Sequence, residues 1–382
     1  MREKIVNQNE DLENRENDIQ NGKKAKKSKT LKRIKGILIG FVVAFIFYHI
    51  VIMPIATVVI YESIFSGVSN ENPWENLTVE DFEGLEVKRS DFTSGSNILA
   101  GYKYYKKGQA VKGVVVIAHG FGCGGQKLYM AFADYFTSNG YLVFAYDATG
   151  NDKSGGDTSE GLPQGVIDLN SALVHVKEVK DYKGLPIMLF GHSWGGYSVA
   201  NVLGMHQDVK AAAIVAGFNE SENMLEHMSL RYAGIFTYFG MPYVEAYENL
   251  KFGSEYTGIT AVEEMGKTDA GIIILHSKDD ETVPTKYGYD KFYEKYADDE
   301  RFEFILFEDR GHNFLYYTKE AQAYREQLEK DYKAYLEISG KKDSAETKAE
   351  YMTAHLDKEK YFDVDEEVMG KILATFDEYC KK

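Results

Sequence analysis

The chain has 382 residues, 44% of them hydrophobic, which suits one large domain with additions or two domains. Its formal charge of −15 excludes a nucleic-acid partner held by a basic surface. Two cysteines, Cys123 and Cys380, cannot make a disulfide framework, and no C-x-x-C metal or redox motif is present.

Residues 1–22 are polar, rich in Asn, Asp and Glu, and read as a mobile tail. Gly22–Lys35 then carries Lys23, Lys24, Lys26, Lys27, Lys29, Lys32, Arg33 and Lys35 with no acid. Ile37 to Ile60 follows without a charge. At about 1.5 Å per residue a helix of that length covers roughly 36 Å, enough for the hydrocarbon core of a bilayer. Pro54 is expected to kink it. The run is longer than the apolar region of a cleaved signal, about 7–15 residues, and Tyr61-Glu62-Ser63-Ile64-Phe65 is a poor cleavage site. An uncleaved signal-anchor is therefore expected at the cell membrane. Basic flanks stay cytoplasmic. This predicts a cytoplasmic tail over 1–35, a transmembrane helix over 36–62 and an extracytoplasmic domain over 63–382. The basic run also suits anionic lipid headgroups, although a topology signal alone would account for it.

Residues 63–95, with Asn72-Pro73-Trp74 and several acids, read as a connector entering the domain. Asn97–Tyr105 partly alternates, as an early strand would. Gly113–Ala118 is continuously apolar, as in a strand buried on both faces, and ends in His119-Gly120-Phe121-Gly122. A helix is expected over about 126–138 and a strand over Tyr141–Tyr146. A Gly-rich loop follows from Asp147; it lacks the Gly-Lys-Ser/Thr of a phosphate-binding loop. Residues 164–180 read as a helix and Gly184–Phe190 as a strand. Next comes Gly191-His192-Ser193-Trp194-Gly195, with Gly196 behind it, and then the small-residue helix starting at Tyr197. A G-x-S-x-G between strand and helix is the nucleophile turn of an α/β-hydrolase. Its glycines let the backbone take a strained turn that presents the serine hydroxyl above the sheet. Ala211–Val215, Gly271–Leu275 and Phe302–Phe307 read as further strands. Strands alternating with helices predict a mostly parallel sheet.

A serine hydroxyl attacks only when a base takes its proton, and the base needs an orienting acid. In this fold the chain order is serine, acid, histidine. Beyond the strand Gly271–Leu275, Asp279 and Asp280 compete for the acid. Asp280 is preferred, because Val283-Pro284 would then open the next helix in the usual register. A helix N-cap is the structural alternative for either. His312, after Gly311 on the loop beyond Phe302–Phe307, is the base; His119, His192 and His276 read as structural. The oxyanion hole needs backbone N–H donors, expected from Trp194 and Phe121. Cys123 reads as a bystander. No metal set stands out, and no cofactor is expected.

From about residue 95 to 378 the chain resembles the α/β-hydrolase superfamily, nearest its serine aminopeptidase-like and monoacylglycerol-lipase-like branch. The matching stretches are His119–Gly122, Asp147–Gly150 with Ser154 and Gly156, Gly191–Gly196, Asp280 with Val283-Pro284, and Gly311-His312. The family pattern has Gly where Asp152 and Ser277 stand. The resemblance implies an α/β-hydrolase fold, a parallel sheet flanked by helices with a helical cap, here preceded by one transmembrane helix. It also implies hydrolysis of an ester, thioester or amide. The cap is expected over about 218–268. Its apolar residues, among them Met224, Leu225, Met228, Tyr232, Phe236 and Phe239, would either line an acyl pocket or pack the cap onto the domain. A second, charged insertion spans about 316–360, helical over Glu320–Leu336 and then polar; Phe362–Tyr379 reads as the last helix. The expectation is a membrane-anchored serine hydrolase acting on a small-molecule ester, through Ser193, His312 and Asp280. An N-terminal-trimming peptidase is the alternative, with Glu220, Glu222 or Glu226 holding the amine of a short peptide. The other alternative is a non-catalytic surface module on a hydrolase scaffold.

Overall fold

The computed structural model describes residues 2–382 apart from Val68, Glu71, Pro73 and Asn76; the side chains of residues 2–12, Tyr232, Ala233 and Phe236 also lie outside the described set. Pro73 of the connector, and the side chains of Tyr232 and Phe236 in the cap, therefore lie outside it. Two compact units result, one ending at Ile60 and one running Tyr61–Lys382.

The N-terminal part is helical from α1 (Arg2–Phe47) through a wide π-helical turn at Tyr48–Ile52 into α2 (Met53–Ile64). The expected mobile tail over residues 1–22 is thus corrected: it is helical from Arg2. Its Glu, Gln, Lys and Arg residues form helix readily, and a segment continuous with an apolar helix need not nucleate by itself. The wide turn sits just before Pro54. Proline has no N–H, and its ring crowds the carbonyl four residues back, so the ladder opens there. The helical stretch Glu13–Ile64 is long and apolar enough to cross a membrane, and its most apolar window of 18 residues is unburied.

In the second unit the strands are β1 (Leu85–Arg89), β2 (Phe92–Ser94), β3 (Asn97–Leu99), β4 (Gly101–Lys106), β5 (Gly113–Ala118), β6 (Tyr141–Tyr146), β7 (Ile187–His192), β8 (Ala211–Val215), β9 (Gly271–Ser277) and β10 (Phe302–Phe307). Eight of them form one sheet in the order β1-β4-β6-β5-β7-β8-β9-β10. From β6 to β10 all pairings are parallel; β4 and β1 add an antiparallel edge. Two expectations are corrected here. The early strand breaks at Ala100 into β3 and β4, and the connector contains β1. Leu-Glu-Val-Lys-Arg alternates with mostly charged residues, which suits an exposed edge strand and reads as linker.

Between the strands lie α3 (Met130–Ser138), α4 (Gln164–Glu178), α5 (Trp194–Val202) and, after β9, α10 (Tyr289–Tyr296). The last helix is α14 (Glu366–Tyr379). Strand residues alternate strictly between two cores. Val114, Val116, Leu189, Ile214 and Ile274 face α4 and α5, while Val115, Ile117, Phe190, Ala213 and Leu275 face α3 and α14. This is why those strands read as continuous apolar runs: both faces are covered.

The cap consists of α6 (Ser221–Ala233), α7 (Thr237–Phe252), α8 (Ser254–Thr257) and α9 (Ala261–Met265). The second insertion is α11 (Lys319–Ser339), α12 (Ala345–His355) and α13 (Lys358–Tyr361). Its polar second half is helical too, started by Ser344, whose side chain accepts from the Thr347 amide. Leu328, Tyr332, Tyr351 and Met352 make a small core of their own between α11 and α12.

Candidate active site

The sheet reverses its winding between β5 and β7. β6 lies on one side of β5, and β7 and the later strands lie on the other. Ligands of open α/β sheets bind at the carboxyl ends of strands at such a reversal. The ends of β5 and β7, paired at Ala118 and Gly191, carry the His119–Gly122 loop and the serine turn.

Ser193 sits at φ 57°, ψ −117°, a left-handed backbone that a non-glycine residue adopts only when its surroundings impose it. They do so here. Its N–H donates to Val215 O at 2.8 Å, and its carbonyl accepts from the Tyr197 amide at 2.9 Å. A Cβ on Gly191 would stand 2.3 Å from Gly195 O, and one on Gly195 would stand 2.0 Å from Ala118 O. Neither position admits a side chain. Trp194 opens α5, so its N–H lacks an intrahelical acceptor.

Asp280 follows β9 and His312 follows β10. Ser193 Oγ lies 2.8 Å from His312 Nε2, and His312 Nδ1 lies 2.7 Å from Asp280 Oδ2. The other Asp280 oxygen accepts from the Thr282 and Val283 amides at 2.9 and 2.8 Å. Asp280 thus also shapes the turn that follows it, but it caps no helix, which was the structural alternative for it. Burial alone would raise its pKa, but hydrogen bonds from His276 and His312 and the Val283 amide hold it well below the usual carboxylate range. Asp279 does a different job. Its Oδ1 accepts from the Gly311 amide at 2.8 Å and so fastens the His312 loop. Ser277, where the family has Gly, accepts from the Arg310 amide and donates to Asp279. Asp152, the other departure, has φ 33°, a backbone that favours glycine.

One expectation about this loop is corrected. Pro284 does not enter an α-helix; with φ −55° and ψ 140° it precedes a 3₁₀ turn at Thr285–Tyr287, and α10 begins only at Tyr289. The choice of Asp280 coincides with the residue that meets His312, though the helix invoked for it starts later.

His119, His192 and His276, the histidines read as structural, are buried. His119 Nε2 accepts from the Ala148 amide at 2.9 Å. His276 Nε2 donates to Val283 O at 2.7 Å. His192 links the two sides of the site. Its Nε2–H donates to the His312 carbonyl at 2.9 Å, which makes Nδ1 the acceptor of the Tyr129 hydroxyl at 3.0 Å. Tyr129 in turn accepts from the Gly120 amide at 3.0 Å. Burial, and next the charge of His312, push His192 down to about 3, so it stays neutral. The sequence offered no signal for Tyr129.

Phe121 is 39% exposed, and its ring stands edge-on to that of Trp194 at 5.7 Å. Cys123 donates to Gly120 O, and burial pushes its thiol up to about 12, an inert environment. Over Ser193 opens a cavity of about 1040 Å³. Its lining includes Phe121, Leu162, Phe218, Met224 and Met228 on the sheet and cap side. It also includes Phe65, Trp74, Arg325 and Met352, from the connector and from α11 and α12, which sequence reasoning left unassigned. Arg325 holds α11 in place; its guanidinium lies 4.0 and 3.9 Å from the Tyr317 and Tyr361 ring centres and donates to Tyr361 O at 2.6 Å. Among the described residues lining the cavity, Glu220, Glu222 and Glu226 are absent. Glu220 is bound by Lys291 and Asn219 instead. No group of His, Cys, Asp and Glu among the described residues is arranged to hold a metal.

Residues 109–240 match the model of the S33 serine aminopeptidase family. Over 130 residues the chain is 30% identical to caffeoylshikimate esterase of Arabidopsis thaliana, a match spanning 33% of this chain but only 39% of that enzyme. Over 302 residues it is 23% identical to the uncharacterized protein YfhR of Escherichia coli, spanning 78% of this chain and 94% of YfhR. In three dimensions it is similar to a Pyrococcus furiosus esterase, with a TM-score of 0.50 at 17% identity over 72% of this chain and 98% of that one. The matched family model spans the His119 loop, the serine turn and the first part of the cap, and the fold is shared with nearly all of a solved esterase; the chain has the α/β-hydrolase fold.

Proposed function

We propose that this chain is a membrane-anchored serine hydrolase that cleaves carboxylic esters with a moderately apolar acyl group. The observation that carries the proposal is the continuous contact from Ser193 Oγ through His312 to Asp280, at 2.8 and 2.7 Å, under a large cavity. Ser193 gives its proton to His312 Nε2 and attacks the ester carbonyl. The negative charge that develops on oxygen is met by the Phe121 and Trp194 amides. His312 returns the proton to the leaving alcohol, an acyl-enzyme forms, and water activated by the same histidine releases the acid. Asp280 stays ionised throughout, because its lowered pKa keeps it a carboxylate beside the imidazolium. No cofactor enters these steps.

The ester reading is favoured over an amine-anchoring peptidase by the placement of Glu220, Glu222 and Glu226 away from the cavity lining. Two of the similar proteins are esterases by name, which agrees. Labelling with a fluorophosphonate tests the reading. The full chain in detergent should label, and Ser193→Ala should neither label nor turn over p-nitrophenyl esters, with a loss of about 10⁴-fold or more in kcat. Unchanged turnover by the variant would sink it.

The apolar helix serves in this proposal as the anchor. The Lys- and Arg-rich flank before it keeps the N-terminus cytoplasmic and the catalytic unit outside, with lipid headgroups as neighbours. Protease added to intact cells should then remove the catalytic unit; full protection would reverse the orientation.

A further inference from the structure

The segment that follows the apolar run is built into the catalytic unit. Tyr61 and Phe65 are 2% and 1% exposed. The Tyr61 hydroxyl donates to Glu248 of α7 at 2.7 Å, and Ser221 at the start of α6 donates to the same carboxylate at 2.9–3.0 Å. Glu62 accepts from Tyr247 and Lys251, both at 2.6 Å. Further on, Ser66 and Gly67 bridge to Thr158, and Ser69 bridges to Asn151 and accepts from the Gly124 amide at 3.2 Å. Chain entering the domain is thus tied on one side to the cap and on the other to the loops after β5 and β6.

Phe65 lies between these ties and lines the cavity over Ser193. Its ring stands edge-on to Phe121 at 5.7 Å and 82°, and Phe121 stands edge-on to Trp194 at 5.7 Å and 85°. The three rings form a row beside the serine. Aromatic pairs in this arrangement are directional, so Phe65 supports Phe121 as well as occupying space. The Tyr61 ring packs on Phe65 at 4.9 Å.

We infer that Phe65 is a specificity-determining residue of the catalytic cleft, held by the Tyr61–Glu248 clamp, so that residues just beyond the apolar run set which acyl groups reach Ser193. The inference rests on the serine-hydrolase reading above. Phe65 is the fifth residue after Ile60 in a stretch that is helical up to Ile64. At about 1.5 Å per residue the cleft wall begins within about 8 Å of chain from the apolar run, whatever angle that run takes. The acyl chain of the ester lies against a ring delivered by the anchor's own continuation.

The test uses the full chain in detergent micelles and p-nitrophenyl esters with acyl chains from acetyl to dodecanoyl. Rates are normalised to fluorophosphonate-labelled sites, so only folded, competent enzyme counts. Phe65→Ala should raise the ratio of kcat/KM for dodecanoyl over acetyl by about fivefold or more, and Phe65→Leu should raise it less. Tyr61→Phe keeps the ring but removes the bond to Glu248, and should shift the ratio in the same direction. If Phe65→Ala does not label, Phe65→Leu carries the comparison. A ratio within about twofold of wild type in labelled Phe65→Leu and Tyr61→Phe overturns the inference. A wild type that does not label overturns the serine-hydrolase reading instead.

Discussion

The floor of the cavity and its walls differ in how firmly their residues are held. The floor stands on β5, β7, β8 and β9, every residue of which is buried. Its loops are tied to one another by main-chain bonds such as Ser193 to Val215 and Gly311 to Asp279. The walls are helices over the top. The turn into α7 leaves Ile235 70% and Phe239 62% exposed, and α11 and α12 share only a small core. A strained backbone such as that of Ser193 survives only where many contacts impose it, so chemistry belongs on the floor. Groups that touch the variable part of a substrate tolerate looser packing and gain from it, because a wall can be altered without disturbing the reacting atoms.

Substitutions on either side sharpen this contrast. The largest effect is expected from Asp280→Asn on the floor. The amide keeps the shape but loses the charge that holds His312 in the useful tautomer, and kcat should fall by about 10³–10⁴-fold with the thermal midpoint little changed. An equal loss of fold and rate would mean that Asp280 acts mainly through its turn at Thr282 and Val283.

A smaller, pH-dependent effect is expected from His192→Gln. Folded His192 is pushed down to about 3, whereas an unfolded chain takes up the proton below the ordinary value of 6.5. Its contribution to stability is therefore complete above pH 6.5 and is lost as pH falls toward 3. The wild type should exceed the variant by about 1–3 kcal/mol at neutral pH. That gap should narrow on acidification by up to about 1.4 kcal/mol per pH unit. Denaturant unfolding at a series of pH values measures it, and a gap that widened on acidification would contradict the buried, neutral histidine.

The smallest effect is expected on a wall. Met228→Ala should change KM for long-chain esters by about two- to tenfold while kcat for acetyl esters stays near wild type. A loss of kcat comparable to that of Asp280→Asn would erase the distinction between floor and walls.

The same contrast governs what could be read from the sequence. β5, β6 and β8 fall where their apolar runs predicted them, because a strand covered on both faces has no choice of composition; the edge strand β10 also falls where predicted, though it is only half-buried. The serine turn was legible because glycines at 191 and 195 are sterically obligatory. The geometry brings Ser193, His312 and Asp280 together as their order along the chain suggested. What was hidden lies at edges and walls. β1 is an edge strand of charged residues, so it looked like connector. The helices of the second insertion present Arg325 and Met352 to the cavity, yet their sequence is that of any solvated helix. Tyr61 and Phe65 sit where the sequence reads as the end of a membrane helix, a poor cleavage site and the start of a connector. Their role depends on partners Phe121 and Glu248 more than fifty residues away, and no local pattern encodes that.

The Tyr61–Glu248 bond has a consequence for where this protein can work. Glu248 is a buried carboxylate already pushed up to about 6 by burial, and among the described residues a phenol just beyond the apolar run donates to it beside Ser221. A truncated form beginning at residue 63 would leave that carboxylate short of a donor and the cap short of a fastening. In the anchored reading proposed above, a cut in this stretch would release the catalytic unit and loosen its cap in the same stroke. In that reading, attachment and the shape of the cleft share one short piece of chain.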